Sequence, residues 1–91
     1  MNRNYSFPIS KEILKAVLNY IDTFFKSHSP EEFLSFKELN DNVIQMFKRG
    51  DTDLTIVLIE LNDQDIIKFK DFKILEFTPS GKKYLEILNR I

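Results

Sequence analysis

The stretch that decides the fold is LEFTPSGKKYLEIL, residues 75–88. Its first residues continue an alternating apolar and polar pattern that is typical of a β-strand. Thr78 is a good N-cap residue, and Pro79 follows it at the first helical position, where proline is favoured. Apolar residues then recur at helical spacing, namely Tyr84, Leu85, Leu88 and Ile91. The stretch therefore predicts a strand that passes directly into a closing helix.

The residues before this stretch predict its strand partner. The segment IIKFK, residues 66–70, alternates in the same way as KILEFT, residues 73–78. Only Asp71 and Phe72 separate the two segments, which indicates a tight β-hairpin.

Three helices are predicted upstream of the hairpin. Ser10 caps helix one, from about 11 to 27, and a short turn at 30–33 and an extended link through FLSF follow. Ser35 and Glu38 form a capping box for helix two, from about 36 to 48, which Gly50 ends. Helix three is capped by Asp51 or Thr52 and runs to about 63. The short connection predicts a sharp turn between helices two and three, as in a helix-turn-helix.

Composition limits the class of protein. The chain has 91 residues, 43% of them hydrophobic, with nine phenylalanines and no cysteine. These values predict one small globular domain over residues 10–91, preceded by an N-terminal arm over 1–9, and exclude a disulfide framework. The longest apolar run, residues 56–59, is too short for a bilayer span, so we expect a cytoplasmic protein. The fold class is mainly α, of the α+β type.

Three stretches together resemble the winged-helix superfamily, and most closely the small MarR- and PadR-type transcriptional regulators. They are LSFKELND (residues 34–41), LIELNDQDIIKF (58–69) and ILEFTPSGKKYLEIL (74–88). The resemblance implies a three-helix helix-turn-helix core, a short two-stranded wing and a C-terminal helix. It also implies a DNA-binding protein that regulates transcription. Where the family commonly has a glycine before the first wing strand, this chain has Gln64-Asp65.

Candidate DNA-binding residues follow from that resemblance and from the lysines of the hairpin. The family places helix three in the major groove, which assigns DNA contacts to Lys48, Arg49, Thr52 and Thr55. Lys68 and Lys70 are two residues apart and share one strand face, and Lys73 lies beside them. Such a strip of lysines suits phosphate contacts without sequence reading. Lysines of this kind also occur as an ordinary solvated edge that blocks strand pairing.

A second interpretation assigns the same surface to a protein partner. The outer face of helix three carries Thr52, Ile56, Ile59, Glu60 and Asp63, and none of these is a usual base-reading residue. The formal net charge is −1, whereas most dedicated nucleic-acid binders are more basic. Ile56 and Ile59 would then pack on a neighbouring helix or on another chain. The alternative function is a winged-helix interaction module that docks through the Ile56/Ile59 face without binding DNA.

The remaining motifs do not indicate catalysis. His28 is the one histidine and is predicted to cap the end of helix one, so we expect no enzyme, no metal site and no cofactor. Phe69 and Phe72 are interpreted as core or edge-covering residues rather than as a platform on which bases stack. Helix one has apolar residues on more than one narrow stripe. We therefore predict a homodimer through helix one and the C-terminal helix, as is common for small winged-helix proteins.

Overall fold

A computed structural model describes residues 11–29, 31–43 and 54–90 of the chain. The elements are α1 (Lys11–Ser27), β1 (Leu34–Ser35), α2 (Phe36–Val43), α3 (Leu54–Asp63), β2 (Ile67–Lys70), β3 (Lys73–Phe77) and α4 (Pro79–Arg90). The described part is mainly helical, with a small antiparallel sheet, and belongs to the α+β class. Several predictions fall on other residues and lie outside the described ranges: the arm 1–9, the end of helix two, Gly50 and the caps at 51 and 52.

Helix α1 begins and ends where the sequence predicted. Its buried residues, Leu14, Val17, Leu18, Ile21 and Phe24, recur three or four positions apart and form one stripe. Glu12 in the first turn and Lys26 in the last turn complement the helix dipole. At the end of the helix, Nδ1 of His28 lies 2.8 Å from the Phe24 carbonyl oxygen. The prediction that His28 caps this helix is therefore confirmed.

The sheet has one strand more than the predicted hairpin. Its order is β1-β3-β2, and both pairs are antiparallel. Leu34 of β1 pairs with Ile74, and Ser35 pairs with Lys73. The prediction of a two-stranded wing therefore missed β1, since a strand of two residues is too short to show alternation. Ser35 is also the N-cap of α2, because its hydroxyl oxygen accepts a hydrogen bond from the Glu38 amide at 3.1 Å.

The hairpin turn has an unusual composition. Asp71 and Phe72 both have positive φ, at 54° and 59°. Two-residue hairpin loops with positive φ at both positions match the twist of the strands and normally contain Asn-Gly or Asp-Gly. The Phe36 amide donates a hydrogen bond of 2.8 Å to the Phe72 carbonyl oxygen, so the turn is attached to the start of α2.

The core lies between the sheet and the inner faces of the four described helices. Helix α1 contacts α4, α2 and β3, and α3 contacts β2. The fully buried side chains come from α1, α2, α3 and the sheet, and the largest are Leu18, Ile21, Leu34, Leu39, Leu58, Leu61, Ile66, Ile67 and Ile74, whereas α4 adds the buried Leu85 and Leu88. One continuous apolar core therefore fixes α3 and the hairpin relative to each other. Among the described helices, none has both the length and the apolar composition that a membrane crossing requires.

The junction between β3 and α4 lies within the stretch LEFTPSGKKYLEIL, residues 75–88. The buried Thr78 hydroxyl donates toward the carbonyl oxygens of Asp65 and Ile66, and its oxygen accepts from the Gly81 amide at 2.9 Å. A Cβ on Gly81 would lie 2.2 Å from the Ile66 carbonyl oxygen and 2.8 Å from the Phe77 ring. The first turn of α4 therefore packs directly against backbone, and only glycine fits at position 81.

Candidate functional site: the outer face of α3 and the hairpin

Helix α3 has a buried side and an apolar exposed side. Its buried residues are Leu54, Val57, Leu58 and Leu61. Ile56 and Ile59 lie on the opposite side at about 100° per residue, and they are 54% and 49% exposed. Packing of these two isoleucines on a neighbouring helix is therefore wrong for the described part of the chain, because no described element covers them. Packing on another chain remains a prediction.

A shallow cleft of about 370 Å³ lies between α3 and the tip of the hairpin. Three of its six lining residues are apolar, namely Ile59, Phe69 and Phe72, and the other three are Thr55, Lys70 and Asp71. The Phe72 ring meets Phe36 edge-on at 5.7 Å between centroids and Phe69 at 6.4 Å. Phe69 is partly buried against the core, as predicted, whereas Phe72 is 61% exposed, so Phe72 is not a core residue; its alternative role, covering the hairpin edge, stays a prediction.

The three hairpin lysines are exposed, and two of them have partners within the protein. The Lys68 ammonium lies 3.7 Å from the Asp65 carboxylate, and Lys68 pairs in register with Glu76. The Lys73 ammonium lies over the Phe33 ring, 4.7 Å from its centroid, in a cation–π contact. Lys70 lines the cleft beside Asp71.

Of the predicted DNA-binding residues, the structure brings Thr55 and Lys70 together. Both line the cleft between α3 and the hairpin. Lys68 and Lys73 flank this position on the two strands of the hairpin. Lys48, Arg49 and Thr52 lie outside the described residues.

The surface formed by α3 and the hairpin is acidic. Residues 54–77 contain the five carboxylates Glu60, Asp63, Asp65, Asp71 and Glu76 but only three lysines. All five acids except Glu60 are exposed. On the outer face of α3 itself, Glu60 and Asp63 lie on the same side as Ile56 and Ile59. The structure therefore combines apolar side chains with negative charge at this surface.

Phe72 is the site residue whose high exposure was not predicted. The informative signal is the dipeptide Asp71-Phe72 at a two-residue turn, where a glycine would be expected in the second position. The Phe72 ring at this turn contacts Phe36 and Phe69, which pack against the core, but it stays 61% exposed itself.

Outside this surface, Tyr20 and His28 have structural partners. The Tyr20 hydroxyl donates to the Glu38 carboxylate at 3.4 Å, and burial, followed by the nearby Glu38 charge, raises the pKa of Tyr20. The His28 ring stacks on Phe24 at 3.9 Å. Within the described ranges, no group of three or more His, Cys, Asp or Glu side chains is placed to hold a metal ion.

No protein-family model, no curated protein and no solved structure matches this chain.

Proposed function

We propose that this chain is a winged-helix domain. The order of three helices, a β-hairpin and a closing helix supports the proposal, and so does the direct passage from α3 into β2. Asp65, in the turn between them, has φ of 63° and provides the left-handed conformation for which the winged-helix family commonly has a glycine. In this fold α3 is the recognition helix and the hairpin is the wing.

The proposed function is docking of a protein partner on the outer face of α3. The observation that carries it is the exposure of Ile56 and Ile59, each about half exposed on a helix whose other apolar residues are buried. A contiguous apolar surface of this kind is typical of interaction sites. The cleft beside Ile59 extends this surface as far as Phe72.

Charge supports a protein partner over a phosphate backbone. The surface presents more carboxylates than lysines, and Lys68 lies near Asp65 and opposite Glu76. DNA binding draws its affinity from lysines and arginines that neutralise phosphates, so carboxylates on the same surface oppose it. A protein partner with its own basic residues would instead be attracted.

Photo-crosslinking from position 59 in the native host tests this proposal. A photoreactive residue at 59 should give a discrete protein adduct, and Ile56→Glu should abolish that adduct because it places a charge in the contact. The matched control is the same photoreactive residue at Leu75, which is 43% exposed on β3 and does not line the cleft. Equal adducts from 59 and 75, or adducts to DNA alone, would contradict protein docking at this face.

Duplex DNA is the second candidate, and the lysines favour it. Lys68, Lys70, Lys82 and Lys83 are exposed on the hairpin and at the start of α4. A winged-helix transcriptional regulator would place α3, with Thr55, in the major groove and these lysines on phosphates.

A titration of labelled duplex at two salt concentrations tests the DNA candidate. If two phosphates are contacted by Lys68 and Lys70, Lys68→Glu with Lys70→Glu should abolish binding and reduce the salt dependence by about two counterions. Lys15→Glu with Lys26→Glu on α1 is the matched charge control. Absence of binding to any duplex at low salt would exclude this candidate.

A further inference from the structure

We propose that Phe72 is the anchor of a docking cleft that receives a partner segment with two apolar side chains flanked by Lys or Arg. This inference rests on the proposed function, because it names the chemistry of the partner for the same surface. Three independent observations carry it: the conformation of Phe72, the shape of the cleft and the charges at its rim.

The conformation of Phe72 is costly for a residue with a side chain. Its φ of 59° lies in the left-handed region, which disfavours residues with a Cβ. The ring gains little burial in return, since 61% of it is exposed. Residues held in such conformations occur preferentially at functional sites. A glycine would relax this turn, so the presence of phenylalanine indicates a use for the exposed ring.

The neighbourhood of the ring holds it in a defined position. Phe36 and Phe69 meet it edge-on, and the hydrogen bond from the Phe36 amide to the Phe72 carbonyl fixes the backbone beneath it. A preorganised aromatic residue loses little conformational entropy on binding and is typical of binding hot spots. The cleft between this ring and Ile59, of about 370 Å³, has room for apolar side chains of a partner segment.

The charges around the cleft select the flanks of that segment. Lys70 and Asp71 both line the cleft and offset each other in formal charge, so the acidic excess comes from Glu60 and Asp63 on the outer face of α3 beside Ile59. Lysines or arginines on either side of the apolar pair would meet these carboxylates. The same charges disfavour a second copy of this chain as the occupant, because a two-fold contact through this face would bring the acids of both copies together.

Selection from a displayed library of random twelve-residue peptides, with the full chain as bait, tests the inference. The enriched peptides should share two apolar residues flanked by Lys or Arg. Their affinity should fall about tenfold or more in Phe72→Gly, because hot-spot aromatics commonly contribute that much. The same variant should melt at the same temperature as the parent chain or higher, since glycine relieves the turn.

Two further variants make the selection specific. Asp71→Asn should weaken basic peptides by about two- to fivefold, in a salt-dependent manner, which is the range of an exposed ion pair. Leu75→Ala removes an exposed apolar residue of β3 that does not line the cleft, and it should leave peptide affinity unchanged.

The outcomes separate this inference from the function on which it rests. Peptides that bind through Ile56 and Ile59 but are acidic, or are indifferent to Phe72→Gly, would overturn the inference and leave protein docking in place. A self-association of the chain that Phe72→Gly abolishes would overturn it in favour of a second copy. If the selection yields no peptide that binds the parent chain better than the double variant Ile56→Glu with Ile59→Glu, both the inference and the proposed docking function are overturned.

Discussion

At the scale of single residues, Thr78 and Gly81 determine how α4 begins. Thr78 satisfies the Gly81 amide and two carbonyl groups at the end of the α3–β2 turn with one buried hydroxyl. Because Gly81 has no Cβ, the first turn of α4 can approach the Ile66 carbonyl oxygen closely. The Thr-x-x-Gly spacing was recognisable in the sequence as a strand-to-helix junction. The reason for its glycine was not, since it depends on a backbone group fifteen residues earlier in the chain.

Substitution of Gly81 by alanine should destabilise the protein by about 3 kcal/mol. The added methyl group would overlap a backbone oxygen, which cannot rotate away as a side chain would, and overpacking of this kind commonly costs 1–3 kcal/mol or more. Urea denaturation followed by circular dichroism measures the change. Ser80→Ala, at the exposed neighbouring position, is the control and should change the free energy of unfolding by less than about 0.5 kcal/mol. A Gly81→Ala protein as stable as the control would contradict the close approach.

The raised pKa of Tyr20 leads us to expect that the protein loses stability at alkaline pH. Its pKa is raised in the folded protein above the ordinary value of 10.0, by burial and then by Glu38. The folded state therefore holds the phenolic proton more tightly than the unfolded state. The resulting stability is fully present below pH 10 and is lost as the pH rises through the folded pKa.

The measurement for Tyr20 is the free energy of unfolding of the parent chain and of Tyr20→Phe, from pH 8 to pH 11. The parent should lose stability more steeply than the variant above pH 10, and phenolate absorbance near 295 nm should show a late-titrating tyrosine. Parallel pH profiles for the two proteins would show that Tyr20 is not the responsible group.

At the scale of elements, the long amphipathic segments were predictable and the short ones were not. The bounds of α1 and of the two hairpin strands followed from apolar spacing, because each segment has a buried stripe and clear end signals. Strand β1 has two residues, and its pairing with β3 depends on tertiary contact. The sequence also could not show that β3 carries a bulge at Leu75, where Lys68 pairs with Glu76 but Phe69 pairs with Ile74.

The outer edge of the hairpin is closed by a side chain from α3. Strand β2 is an edge strand, and the Phe69 amide on it donates a hydrogen bond of 3.0 Å to Oδ1 of Asn62. An unpaired edge is a template for strand addition by another chain. Asn62 therefore both stabilises the hairpin and reduces its tendency to pair with other chains.

Replacement of Asn62 by alanine should cost about 1 kcal/mol, which is the usual net contribution of one hydrogen bond. The variant should also aggregate faster on heating, because the Phe69 amide becomes available to another strand. Thermal unfolding with light scattering measures both effects. Asn62→Asp, which keeps an acceptor oxygen, is the control, and an Asn62→Ala protein with the melting temperature of the parent chain would contradict this assignment.

At the scale of the whole molecule, the core accounts for the apolar residues of α1 that motivated the homodimer. Ile13, Tyr20 and Phe25, beside the main stripe of α1, are partly buried against that core. Among the described residues of α1 and α4, Ile87 is the exposed large hydrophobic residue. The predicted homodimer through these helices therefore depends on the outer face of α4.

A homodimer of this kind should dissociate in Ile87→Glu. The substitution would place two carboxylates at a two-fold contact, where like charges repel. Size-exclusion chromatography with light scattering at several concentrations should give the mass of two chains for the parent and of one chain for the variant. Lys82→Glu, a charge change at an exposed position of the same helix that does not share a face with Ile87, is the control. A monomeric mass for the parent chain would exclude the dimer.

The position of the candidate site was predictable from the sequence, but the exposure of its isoleucines and the contacts of its lysines were not. The order of elements placed it on α3 and the hairpin, and the spacing of apolar residues showed that Ile56 and Ile59 oppose the buried stripe. Whether another element of the chain covers them depends on tertiary packing, and so does the cation–π contact that engages Lys73 with Phe33. The acidic balance of the surface was visible in the sequence, whereas the proximity of Lys68 to Asp65 needed the geometry of the turn.

The pairing of β1 with β3 has a consequence for the order in which the chain folds. Leu34 finds its partner, Ile74, forty residues later, so this contact closes a long loop and its entropic cost opposes early formation. The hairpin, whose strands are separated by two residues, closes a much smaller loop and should form sooner. During synthesis, β1 can therefore pair with β3 only after Lys73 and Ile74 have emerged from the ribosome.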